Sequence, residues 1–246
     1  MSVAWHTSPD PDSAAQACAR HITGILEQAL SGQDRATMAL SGGTTPGLLF
    51  DHLVRSGFRW DRVHFFWVDE RAVPPTDPQS NYRLAEERLL VPARVPHNHV
   101  HRIDGELHPD RAARRYAEEI QEFFRLEPGQ MPHFDVVHRG MGPDGHTASL
   151  FPGSPMLDDR EGIAAAVFAE HLNQWRVTLL PGVLLAARHT VFLVTGADKA
   201  EAVRNVFQCD YEPRRYPAQI ASHHGRRVAW FVDQAAASLA TGMMDG

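Results

Sequence analysis

Apolar positions in this chain alternate between two periods. Over residues 13–31, Ala15, Cys18, Ala19, Ile22, Leu26 and Ala29 return every three or four positions. That spacing predicts a helix, with Ser13 and Gln16 at a capping-box separation and Gly32 as its stop. Ala36–Leu40 is a short apolar run, read as a strand. Thr45 is placed to N-cap a following helix with Pro46 at its first position. The β-branched and aromatic run at 63–68 reads as a strand. Residues 80–90 and 109–126 read as helices, the second presenting Ala112, Tyr116, Ile120 and Phe123 on one face. Strands follow at 134–138, 162–168, 176–179 and 190–195. A helix at 199–208, with Asp198 and Glu201 at a capping spacing, precedes a strand at 228–232 and a helix at 235–240. This alternation predicts one α/β domain over residues 1–246, with a mainly parallel sheet and helices on both faces. The proline-rich stretch 74–78 reads as a structured loop inside that domain.

Composition narrows the function. The 246 residues are 43% hydrophobic and 22% charged, an ordinary globular balance. A net charge of −6 argues against a nucleic-acid partner. No apolar stretch approaches the length of a membrane span. Residues 1–6 lack the basic and apolar pattern of a secretion signal. Cys18 and Cys209 show no metal or redox spacing, so a reduced, cytoplasmic chain is expected. Of 24 basic residues only Lys199 is lysine. Codon bias accounts for the arginines but not for where the one lysine stands.

Four polar segments directly follow predicted strands, where open α/β sheets bind ligands. Ser41-Gly42-Gly43-Thr44-Thr45-Pro46 offers backbone N–H groups, hydroxyls and a helix start to an anion. Asp69-Glu70-Arg71 puts three charges at the end of an apolar strand, as a structural ion pair or as site residues. There Asp69 suits a sugar hydroxyl or a proton, and Arg71 an oxyanion or phosphate. The irregular loop 140–153 sets Asp144 two residues from His146, so the carboxylate can fix the imidazole's tautomer and raise its basicity. Gly196-Ala197-Asp198-Lys199 places a cation in a first helical turn, where only a bound anion favours it. Arg176 is a further phosphate ligand candidate. His97, His99 and His101 alternate but lack a carboxylate or Cys pattern beside them, so no metal site is expected.

Ser41–Pro46 with the 69–82 stretch (Asp-Glu-Arg-Ala-Val-Pro…Ser-Asn-Tyr), the 140–153 loop, Arg176-Val177-Thr178 and Gly196…Lys199-Ala200 occur in the order seen in 6-phosphogluconolactonases. The chain resembles that family over residues 36–210. The resemblance implies a Rossmann-like fold shared with the glucosamine-6-phosphate deaminases. It also implies hydrolysis of 6-phospho-D-glucono-1,5-lactone in the pentose phosphate pathway, with a small sugar-phosphate lactone as the partner. Where the deaminase pattern has a ring-opening Glu this chain has Phe151, and where it has Tyr this chain has Arg71. Both departures favour the lactonase. No Gly-x-Ser-x-Gly elbow is present, so water is expected to attack directly. On this reading His146 is the base, oriented by Asp144. Arg71 or backbone N–H groups hold the oxyanion, and Asp69 a hydroxyl. Ser41, Gly42, Gly43, Thr44, Thr45, Arg176 and Lys199 form the phosphate site. No cofactor or metal is called for, and the assembly stays open between a monomer and a small homo-oligomer. A non-catalytic sugar-phosphate sensor is the rival from another class, but it has no need of Asp144 and His146. One departure from the lactonase pattern is the strand end His138-Arg139, where Arg139 has to find solvent or a carboxylate.

Overall fold

The apolar runs at 36–40, 63–68, 134–138, 190–195 and 228–232 all lie in one parallel sheet. A computed structural model describes residues 3–240. In chain order its elements are β1 (Ala4–Ser8), α1 (Pro11–Gly32), β2 (Ala36–Leu40), α2 (Thr44–Arg55), β3 (Val63–Trp67), β4 (Asp69–Arg71), α3 (Asn81–Ala85), α4 (Pro109–Phe124), β5 (Val136–Arg139) and β6 (Ala164–Ala169). There follow β7 (Gln174–Leu179), α5 (Pro181–Ala186), β8 (His189–Val194), α6 (Ala200–Gln208), α7 (Ala218–His224), β9 (Val228–Asp233) and α8 (Gln234–Ala237). The parallel sheet has the order β1-β9-β8-β5-β2-β3.

Its inner strands β2, β8 and β9 read as near-continuous apolar runs because both faces are covered. On β8, Val191 and Leu193 join the core that includes Ile22 and Leu26 of α1. Phe192 and Val194 join the opposite core, with Val203 and Val206 of α6 and Ala236 of α8. β9 divides its side chains the same way, Ala229 and Phe231 against Val228, Trp230 and Val232. The predicted α/β architecture with helices on both faces is therefore the one observed.

Several local details differ from the sequence reading. The runs at 162–168 and 176–179 are strands, but β6 and β7 form a separate antiparallel sheet in the order β4-β7-β6. Asp69-Glu70-Arg71 is accordingly strand β4 rather than a loop, and its Arg71 pairs in register with Arg176. The helix α1 starts two residues early because Asp10 caps it, its carboxylate accepting from the Ser13 N–H at 2.8 Å. Gly43, not Thr45, holds the N-cap position of α2. Residues 197–199 form a 3₁₀ turn, so Lys199 itself precedes α6 and Asp198 caps nothing. The predicted helix at 80–90 is α3 followed by a π-helical turn at Glu86–Leu90. β1, α5 and α7 were not predicted. β1 is a largely exposed edge strand with little apolar signal, and α5 and α7 are too short to show a period.

Candidate active site

At the carboxyl edge of the parallel sheet a cleft of about 660 Å³ opens. Ser41, Gly42, Gly43, Thr44, Thr45, Asp69, Arg71, His146, Arg176 and Lys199 all line it. Asp144 lies just behind, the one predicted site residue outside the lining. The three loops after β2, β5 and β8 converge here as strand order predicts, and the small antiparallel sheet supplies the remaining wall.

The 140–153 loop is held by its own backbone. The Gly142 N–H donates to the His146 carbonyl at 2.9 Å, and the Gly145 N–H to the Gly142 carbonyl at 3.0 Å. Within this frame Asp144 Oδ1 lies 2.6 Å from His146 Nδ1 and also accepts from the His146 N–H at 3.1 Å. A carboxylate on Nδ1 keeps the proton there and leaves Nε2 as the free base. Burial pushes the Asp144 carboxyl up, but its hydrogen bonds from His146 and the nearby imidazole outweigh that and hold it below its ordinary value. A Cβ on Gly142 would stand 2.2 Å from the His146 ring, so only glycine admits the imidazole. Phe151 packs against the same ring at 4.8 Å between centroids. Asp144, not Asp69, is thus the partner of His146. Asp69 is buried and accepts from the Ser149 hydroxyl at 2.6 Å.

The Asp-Glu-Arg triplet divides its labour. Glu70 is buried and accepts from the N–H groups of Arg71, Asn81 and Tyr82 and from the Ser80 hydroxyl, all within 3.0 Å. It serves as a brace that fastens the start of α3 to β4. Burial raises its pKa, with the backbone donors opposing. Arg71 donates to the Gln79 carbonyl. Arg176, directly opposite on β7, is buried, and its Nε has no partner among the described residues. Burial lowers the Arg176 pKa, and the Arg71 charge adds to that, with Asp69 and Glu70 opposing. Like charges directly opposite on antiparallel strands repel. Two guanidiniums so placed at a cleft make a seat for an anion.

On the other side, Thr45 Oγ1 and Thr195 Oγ1 are 2.9 Å apart, tying α2 to the end of β8. Asp233 accepts from the Gly196 N–H at 3.0 Å and steadies that loop. Lys199 Nζ stands 2.9 Å from Asp198 Oδ2. Gly42 corrects the sequence reading in its reason. Its missing Cβ makes room for the Asn81 amide, whose Oδ1 would lie 1.9 Å from it. Asn81 also lines the cleft. Sequence reasoning did not single it out, though it immediately follows Ser80, whose hydroxyl caps α3 by accepting from the Arg83 N–H at 3.1 Å. Among the described residues no group of three or more His, Cys, Asp or Glu is arranged to hold a metal ion. His99 and His101 instead stack with His64, and His101 bonds Glu119 at 2.7 Å.

The unusual strand end is explained by burial. Arg139 finds no solvent. Its Nε donates to Thr147 Oγ1 at 2.9 Å, its guanidinium lies over Phe192, and the Asp69 charge partly offsets the burial that pushes its pKa down to about 9. His138 is wholly buried, and burial lowers its pKa to about 3. Its folded pKa lies below the unfolded value, so its contribution is complete above about pH 6.5 and is lost as pH falls toward 3. His138→Leu should therefore remove on the order of 3 kcal/mol from the acid-induced loss of stability. Urea melts at pH 7 and pH 4 check this, and equal losses in variant and parent would contradict it.

The fold and cleft define a doubly wound α/β protein. It has a His–Asp couple and a basic, hydroxyl-lined site at the carboxyl ends of its strands. The glucosamine-6-phosphate isomerases/6-phosphogluconolactonase profile matches residues 9–230. The chain belongs to that family. It is 36% identical over 216 residues to a 6-phosphogluconolactonase of Synechocystis, covering 87% of this chain and 89% of the relative. The solved 6-phosphogluconolactonase of Trypanosoma brucei superposes with a TM-score of 0.85 at 29% identity, over 96% of this chain and 98% of that one. A monomeric glucosamine-6-phosphate deaminase shares the fold, with a TM-score of 0.82 at 20% identity, covering 96% of this chain and all of that one. No helix of the described residues is long and apolar enough to cross a membrane.

Proposed function

We propose that this chain hydrolyses 6-phospho-D-glucono-1,5-lactone to 6-phosphogluconate by direct attack of water, with His146 as general base. The chain is a 6-phosphogluconolactonase, a carboxylic ester hydrolase of the pentose phosphate pathway. The observation that carries the mechanism is the Asp144–His146 couple, which leaves Nε2 free at a cleft lined by three cations. His146 Nε2 takes a proton as water oxygen bonds to the lactone carbonyl carbon. The carbonyl oxygen becomes an oxyanion, stabilised by Arg71 or by backbone N–H groups. Collapse breaks the bond from that carbon to the ring oxygen, and His146 returns the proton to the ring oxygen as it leaves. Asp69 binds a sugar hydroxyl. The phosphate is anchored by Arg176 and Lys199 with Ser41, Gly42, Gly43, Thr44 and Thr45, so binding away from the reacting carbon positions the carbonyl. We read the chain as one cytoplasmic α/β domain, monomeric or a small homo-oligomer.

The deaminase reading lacks its acid, because the aligned position is Phe151, a phenyl ring against His146. A paired assay tests both readings. Proton release from fresh lactone, beyond spontaneous hydrolysis, supports the lactonase; ammonia release from glucosamine 6-phosphate supports the deaminase.

Lys199 gives a finer test. Lysine is a compact point donor where arginine is a broad fork, and an arriving phosphate competes with Asp198 for its ammonium. Lys199→Arg should raise KM several-fold with a smaller change in kcat. A KM equal to the parent's in steady-state assays makes the single lysine an accident of composition.

A further inference from the structure

The proposed mechanism leaves a buried amide of the cleft without a role. Asn81 is 2% exposed and lines the cleft. Its backbone N–H is fixed by Glu70 at 2.8 Å, and its side-chain Nδ2 donates to the Asp69 carbonyl at 2.9 Å. A carbonyl only accepts, so that bond fixes which end of the amide is which. Oδ1 is therefore the end turned to Gly42, and it has no hydrogen-bond partner among the described residues. A buried acceptor of this kind is retained where something donates to it. Neither the phosphate nor the developing oxyanion has a proton to give.

We infer that Asn81 reads a ring hydroxyl of the sugar lactone, its Oδ1 accepting the hydroxyl proton beside Asp69. The inference rests on the lactonase reading and adds a specificity-determining residue to it. Ser149 already bonds one oxygen of the Asp69 carboxylate, Oδ2, leaving Oδ1 for the substrate. Two neighbouring acceptors, Asp69 on β4 and Asn81 at the start of α3, orient the ring. On this reading its hydroxylated edge meets these acceptors and its phosphate meets Arg176 and Lys199. Gly42 is part of the same device, because any side chain there would occupy the place of the Asn81 amide.

The test compares the parent lactone with its 2-, 3- and 4-deoxy analogues in wild type and in Asn81→Ala. A site built to bond a hydroxyl rejects the analogue lacking it. Wild type should lose roughly tenfold or more in kcat/KM at one deoxy position. Asn81→Ala should be slower on the parent lactone and show no penalty at that same position, while other positions keep theirs. A purely structural role for Asn81 lowers kcat/KM by one factor for all four substrates, and that result overturns the inference. So does a wild type indifferent to every deoxy substitution, which needs no variant. Asn81→Leu, similar in shape, gives the same comparison should the alanine variant not fold. A wild type that does not accelerate the parent lactone removes the lactonase reading itself and this inference with it. Activity on the parent with unchanged discrimination in the variant removes only the role of Asn81.

Discussion

His146→Ala should lower kcat by about 10²–10⁴-fold, the range for losing a general acid–base group, with only a modest change in KM. The size follows from geometry. The imidazole is held by three independent devices: the Asp144 carboxylate at 2.6 Å, the Phe151 ring, and the clearance left by Gly142. Such an orientation is worth building only if the ring's other nitrogen does chemistry. The proposed phosphate anchors come from other elements, β7 and the turn before α6, so binding should survive the loss of the base. Asp144→Asn should also reduce kcat, by less than His146→Ala, because the amide oxygen still accepts from the His146 N–H and Nδ1–H while the charge that raises the imidazole's basicity is lost. The double variant should be no worse than His146→Ala alone, since the two residues act as one unit. Initial rates of acid release, corrected for spontaneous hydrolysis, give kcat and KM directly. A kcat unchanged in His146→Ala removes this residue from the mechanism.

Legibility varied with the kind of signal. The parallel sheet was readable because its strands are buried on both faces and leave unbroken apolar runs, as in β2 and β9. The loops that carry Gly43, His146 and Lys199 were readable because each follows such a strand. The small sheet was not. β4 is only three residues long and charged, and nothing local shows that Asp69–Arg71 pairs with residues more than a hundred positions later. Arg71 and Arg176 were each singled out, but their opposition across two strands exists only in the fold. Capping was misread at Ser13, Thr45 and Asp198 because side chains of the right type stood one to three residues from the true ends. Asn81 was hidden for another reason. Its role depends on the space left by a glycine 39 positions earlier, and spacing along the chain does not encode such a contact.

Arg176→Met should make the unliganded protein more stable while reducing kcat/KM about a hundredfold. The two effects have one cause. In the unliganded protein Arg176 is buried, lacks a partner at Nε and stands in register with a second guanidinium. That arrangement costs free energy through desolvation and like-charge repulsion. Methionine keeps length and apolar contact while removing both penalties, and the gain should be about 1 kcal/mol, in the range of a cross-strand like-charge pair. With substrate bound the balance reverses. A phosphate held by Arg176 offsets that penalty with charge-assisted hydrogen bonds, each worth about 1.5–3 kcal/mol, and a hundredfold loss corresponds to about 2.7 kcal/mol. Thermal melts with and without 6-phosphogluconate separate the contributions. Wild type should melt lower than the variant alone and gain Tm on adding the product, because a ligand stabilises the state it binds. The variant should start higher and gain little. A variant that is less stable and keeps its product-induced shift would make Arg176 a structural residue and leave the phosphate to the Lys199 side of the cleft.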